Sequence, residues 1–177
     1  ARLRQAWSYS LGTHPSAGSV SGGSELTPIV VDGLLYATAG DRVVALRPET
    51  GEEVWRRPMD DRVPSRRGVT YWPGAGAAAA RLFVTSGSTL LALDAKTGEP
   101  VSGFGTNGEV QMPVRYDAAP TLFEDLLIVG SNSPPGSVRA FDVMTGAERW
   151  EFRSIPRAGE AGIITKRKGS LIKSQRG

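Results

Sequence analysis

Short apolar runs broken by turn residues fill most of this chain. "PIVV" (28–31), "LLYAT" (34–38) and "RVVAL" (42–46) are followed by the mixed stretch "EEVWR" (52–56). Asp32-Gly33 separates the first two runs as a pair suited to a tight hairpin, and "AGD" (39–41) and Glu49-Thr50-Gly51 turn the chain twice more. The pattern predicts four short strands in a meander, since nothing here holds a 3.6-residue period over helical length. Two further units repeat the plan. The second runs "GVTYW" (68–72), "RLFVT" (81–85), "TLLALD" (89–94), the turn "KTGE" and Pro100-Val101. The third runs "PTLFE" (120–124), "LLIVG" (126–130), "SVRAFD" (137–142), the turn "MTGA" and "ERWEF". Most runs are apolar at successive positions, as in sheets covered on both faces.

One phrase sets the period. "ALRPETGE" (45–52), "ALDAKTGE" (92–99) and "AFDVMTGA" (140–147) place Thr50, Thr97 and Thr145 at intervals of 47 and 48 residues. Trp55 and Trp150 stand at the same place after the turn, where the second unit has Ser102. Four-stranded units of about 40–50 residues are the mark of β-propeller blades. In that reading Ala and Leu or Phe pack between blades, the Thr-Gly pair reverses the chain, and the tryptophan covers the adjacent sheet. A β-sandwich of three hairpin pairs is the structural alternative.

Composition agrees with an all-β domain. Of 177 residues, 22 are glycine and 12 proline, which calls for many turns. No apolar run approaches the ~20 residues of a membrane helix. Without cysteine, neither a disulfide framework nor a thiolate metal site can form. His14 is the only histidine, so neither a histidine metal cluster nor a Ser–His triad can be assembled; it reads as a loop residue. The GxG of "PGAGAAAA" (73–80) lacks the spacing and the helix of a nucleotide loop. Net charge is +3, but residues 163–177 hold five cations and no acid, leaving −2 for residues 1–162. That basic stretch reads as a solvated tail, and nothing upstream resembles a nucleic-acid module, so no nucleic-acid partner is expected.

The repeat "AxDxxTGxxxW", best matched by "AFDVMTGAERW", resembles the blade motif of pyrroloquinoline quinone (PQQ) propeller proteins. Arg47 replaces the aspartate in the first unit. Two other stretches resemble the PQQ-dependent alcohol and sugar dehydrogenases. These are "SELTPIVVDGLLYAT" (24–38), with its glutamate three residues before the proline, and "RRGVTYWPGAG" (66–76), with an arginine before glycine. The third-unit stretch 137–162 also resembles that family, and its "PRAGE" is similar to the sugar- and polyol-oxidising branch. Both catalytic dehydrogenases and non-enzymatic scaffold proteins of the envelope carry the repeat, so the "RRGVTYWPG" stretch is what separates them.

The resemblance implies an all-β propeller of antiparallel four-stranded blades, eight in the full ring. This chain would supply a partial propeller over 1–162, in units of about 25–57, 68–102 and 119–153, with 163–177 outside it. It also implies a function: a fragment of a dehydrogenase that oxidises an alcohol, sugar or polyol by hydride transfer to PQQ, the hydroxyl proton going to an aspartate base. Glu25, Arg67 and Asn132 are the implied cofactor contacts. PQQ is a flat ortho-quinone with three carboxylates, and the planar fork of Arg67 suits a carboxylate or quinone oxygen. Gly68, beside it, is expected to let backbone and ligand approach closely. The catalytic aspartate and the calcium ligands are implied in later blades, so no catalytic or metal residue is assigned here. The electron acceptor is expected to be a quinone or cytochrome, the compartment periplasmic, and any membrane association to come from other segments. Asp117, three before Pro120, stands where the methanol-oxidising branch has a hydroxyl, and an unpaired acid there would repel a cofactor carboxylate. The change of composition near Ile163 leads to the expectation of a truncated or frame-shifted product. Open sheet edges lead to the expectation that the chain alone is poorly soluble or oligomeric.

Overall fold

The computed structural model describes residues 2–11, 25–60, 62–131, 134, 136–154 and the backbone of 164–166. All regular structure among them is β. The first sheet contains β1 (Ile29–Val31), β2 (Leu34–Ala39), β3 (Arg42–Leu46) and β4 (Glu53–Pro58), ordered β1-β2-β3-β4. The second contains β5 (Thr70–Trp72), β6 (Arg81–Ser86), β7 (Thr89–Asp94) and β8 (Glu109–Gln111) in the same order. The third contains β9 (Thr121–Phe123), β10 (Leu126–Gly130), β11 (Ser137–Asp142) and β12 (Glu148–Arg153). A further strand, β13 (Ile164–Lys166), pairs antiparallel with β12. It lies within the basic stretch that was expected to fall outside the blades. Each sheet is an up-and-down meander, the arrangement of a propeller blade.

Local chemistry explains the tight turns. Asp32 and Gly33 both have positive φ, 50° and 74°, as a two-residue hairpin between paired Val31 and Leu34 requires. The second unit's return strand is not at Pro100-Val101, where the sequence pattern placed it. Pro100 makes only an isolated bridge to Leu93, and the chain runs on through residues 101–108 before β8 pairs with β7. The excursion carries Phe104 into the core, fully buried against Phe83 with ring centroids 5.5 Å apart. Burial of this ring decides where the strand falls.

The blades stack face to face through two apolar layers. Tyr36, Val43, Met59, Leu82, Val84 and Leu93 fill the layer between the first and second. Trp72, Leu90, Phe104, Tyr116, Leu127 and Phe141 fill the layer between the second and third. All six residues of β6 are buried, the apolar Leu82-Phe83-Val84 in its middle and the polar Arg81, Thr85 and Ser86 at its ends. The outer face of the first blade is covered by Trp7, Tyr9 and Leu11 of the N-terminal segment, packed beside Val44 and Leu46.

Candidate functional site

Strand directions sort the loops into two ends. One end holds the Thr-Gly turns, and there each glycine lies under a side chain from the segment before it. Gly51, Gly98 and Gly146 all have φ near +72° to +74°, and a Cβ on them would meet Trp7 at 2.5 Å, Trp55 at 2.6 Å and Val110 at 2.5 Å, with Phe104 at 3.1 Å. The indoles also donate to the turn. Trp7 Nε1 reaches Pro48 O at 2.9 Å, and Trp55 Nε1 reaches Ala95 O at 3.1 Å. The third turn has no tryptophan before it, because Ser102 stands there. Arg81 takes over the donation, its guanidinium giving hydrogen bonds to Val143 O at 3.0 Å and Met144 O at 2.8 Å. Arg81 also lies over the Trp72 ring, and burial pushes its pKa below the ordinary arginine value, with Asp142 acting in the opposite direction.

The aspartate of the repeated phrase braces this turn from within. Asp142 Oδ1 accepts from Met144 N, Thr145 N and Thr145 Oγ1 at 3.0, 2.8 and 2.9 Å, and Asp94 accepts the equivalent set. Burial raises the Asp142 pKa, but the Thr145 and Met144 hydrogen bonds and Arg149 outweigh it and hold the carboxyl below its usual range. The indoles and Arg81 fasten each turn to the blade or segment before it, while the aspartates brace the turn itself.

The sequence-assigned residues occupy the opposite end. Glu25 precedes β1 and Arg67 precedes β5, yet the fold brings them together as an ion pair, Nε to Oε2 at 3.4 Å. Both side chains are exposed, 62% for Arg67 and 59% for Glu25, so a ligand can reach them. Gly68 has φ +92°, and a Cβ there would stand 2.6 Å from Thr27 O. Its close neighbour is therefore the backbone beside Glu25, where the sequence reading expected a ligand. The glycine lets the two segments meet. Asn132 lies outside the described residues.

Asp117, the residue expected to disturb an anionic ligand, is paired: Arg115 Nε donates to its Oδ1 at 2.8 Å. A network missed in the sequence ties these loops together. Ser65 is buried and donates through Oγ to Asp117 O at 3.0 Å while accepting from Arg67 N at 3.2 Å. Its own N–H donates to Thr85 O, and its carbonyl accepts from Thr38 Oγ1, both at 2.8 Å. Thr85 Oγ1 in turn donates to Ala118 O at 2.8 Å. Thr38 and Thr85 end the corresponding runs "LLYAT" and "RLFVT", so their recurrence was a readable signal. Ser65 had none, being one serine in a polar loop.

The exposed Arg67–Glu25 pair thus stands beside a loop network closed by the buried Ser65 hydroxyl. Among the described residues, no three of His, Cys, Asp or Glu gather as a metal site. Over residues 1–174 the sequence matches the PQQ family described as the glucose/ethanol/alcohol dehydrogenase β-propeller domain. The chain belongs to this family. The PQQ-propeller sequence is 32% identical to the dehydrogenase subunit of a quinone alcohol dehydrogenase from Gluconobacter oxydans, covering 88% of this chain and 21% of that protein. It is 31% identical to the quinohemoprotein alcohol dehydrogenase ADH-IIG of Pseudomonas putida, over 97% of this chain and 24% of the relative. The fold is similar to the crystal structure of the Comamonas testosteroni quinohemoprotein alcohol dehydrogenase, with a TM-score of 0.64 and 27% identity over 85% of this chain and 23% of that one. The chain thus spans between a fifth and a quarter of the length of these relatives.

Proposed function

We propose that this chain forms part of the cofactor wall of a PQQ-dependent dehydrogenase that oxidises an alcohol, sugar or polyol. The observation that carries the reading is the Glu25–Arg67 pair, made from two distant segments at one accessible end of the blades. Bound PQQ would supply a quinone that accepts the electrons removed from the substrate. Arg67 would hold a carboxylate or quinone oxygen, and Glu25 would fix the guanidinium and hydrogen-bond the cofactor edge. Ser65 would keep the Arg67 backbone in place. The calcium ligands and the base that removes the substrate proton would come from blades beyond these three. The names of bacterial relatives, which specify quinone, quinohemoprotein or cytochrome c systems, support a quinone or cytochrome acceptor, and the proposed setting is periplasmic. A scaffold role is not favoured, since relatives more than 30% identical are dehydrogenases.

PQQ titration in the presence of calcium, followed by quenching of tryptophan fluorescence, tests this reading. Saturable quenching that weakens at least tenfold in Arg67→Ala is expected. A folded chain with no saturable quenching would return the scaffold reading to first place.

A further inference from the structure

We propose that Arg115 is a second cationic contact for the carboxylates of PQQ, with Asp117 as the counter-ion it exchanges for the ligand; this rests on the cofactor reading above. The Ser65 hydroxyl bonds both the Arg67 amide and the Asp117 carbonyl, so the loop of Arg115 and Asp117 is fastened directly to the loop of Arg67. The Arg115 backbone is fixed as well. Its carbonyl accepts from Ser131 Oγ at 3.1 Å, and the next residue, Tyr116, donates its amide to Gly87 O at 2.9 Å.

The side chains are free to respond where the backbone is not. Arg115 is 67% exposed and Asp117 53%, close to the exposure of Arg67 and Glu25. In both pairs the carboxylate meets the guanidinium at Nε. The end-on edge formed by the two terminal nitrogens is a separate pair of donors, matched to a second carboxylate. Exposed pairs of this kind contribute little, so giving up the internal contact costs little. An anionic ligand therefore meets two arginines, each held in readiness by its own acid. Asp117 is tolerated at this rim because Arg115 neutralises it.

The two residues make opposite predictions for PQQ affinity in the same fluorescence titration. Arg115→Ala leaves Asp117 as a bare negative charge and weakens binding by about tenfold. Asp117→Asn removes a competitor for the guanidinium and tightens binding by about threefold or more. The double variant falls between them, and Arg115→Ala also flattens the salt dependence of binding. Opposite signs cannot both come from misfolding, and circular dichroism of each variant checks the sheets. Affinities within twofold of the parent in both variants, with Arg67→Ala still defective, would overturn the role of Arg115 and leave the cofactor reading standing. If Arg67→Ala also binds as the parent does, or the parent does not bind, the cofactor reading fails and this one with it.

Discussion

At the Thr-Gly end of the blades, three glycines lie under Trp7, Trp55 and Phe104, and indole or guanidinium donors are spent on turn carbonyls. At the other end, Arg67 and Arg115 face solvent with one carboxylate partner each. The first end is repeated because every junction between blades needs the same closure. The second end differs from blade to blade, and there two exposed arginine–carboxylate pairs stand on loops joined through Ser65. Repetition marks the assembly of the fold, and departure from it marks the chemistry.

Substitutions at the two ends should separate stability from binding. The largest loss is expected at the ring over Gly98: Trp55→Ala removes a partly buried indole and its donor, costing about 3 kcal/mol in urea unfolding. Gly98→Ala, strained at φ +74° and forced against the same ring, should cost about 2 kcal/mol. The double variant should lose less than the sum, since one contact serves both, and additive losses would disprove the shared contact.

Next comes Arg81→Met, which keeps the bulk but leaves two turn carbonyls without their donor. A loss of about 1–3 kcal/mol is expected, and no loss would show that the arginine does not replace the missing tryptophan. Asp142→Asn tests the brace inside the turn through pH. Because the folded carboxyl titrates below its unfolded value, its contribution is present above about pH 4 and is lost as pH falls through the folded value. The variant should be less stable near neutrality and show a flatter acid limb below about pH 4, and parallel curves would contradict the assignment. The smallest change in stability belongs to the accessible end. Glu25→Gln should alter unfolding by under about 0.5 kcal/mol, since an exposed pair at 3.4 Å contributes little. A loss comparable to that of Trp55→Ala would erase the contrast between the ends.

Much of the architecture was legible in the sequence for a simple reason. Strands β3, β7, β10 and β11 occupy the very runs read from apolar pattern and turn residues, because those signals act between neighbours in the chain. The second unit's return strand was misplaced because a buried phenylalanine, a distant packing effect, decides its position. Glu25 and Arg67 were picked out by family resemblance, which matches residue types in separate segments and says nothing of their contact.

Family resemblance singled out Glu25 and Arg67; taken by itself, the sequence determined the four-stranded unit and its period. Local propensity and a repeated turn are enough for that, since each is written within a few residues. Only the tertiary structure decided that Glu25 and Arg67 meet, that Ser65 binds the loops of Arg67 and Asp117 with one hydroxyl, and that Arg115 neutralises the acid beside it. Such contacts join segments tens of residues apart, and their distances are set by how the apolar faces of the blades stack.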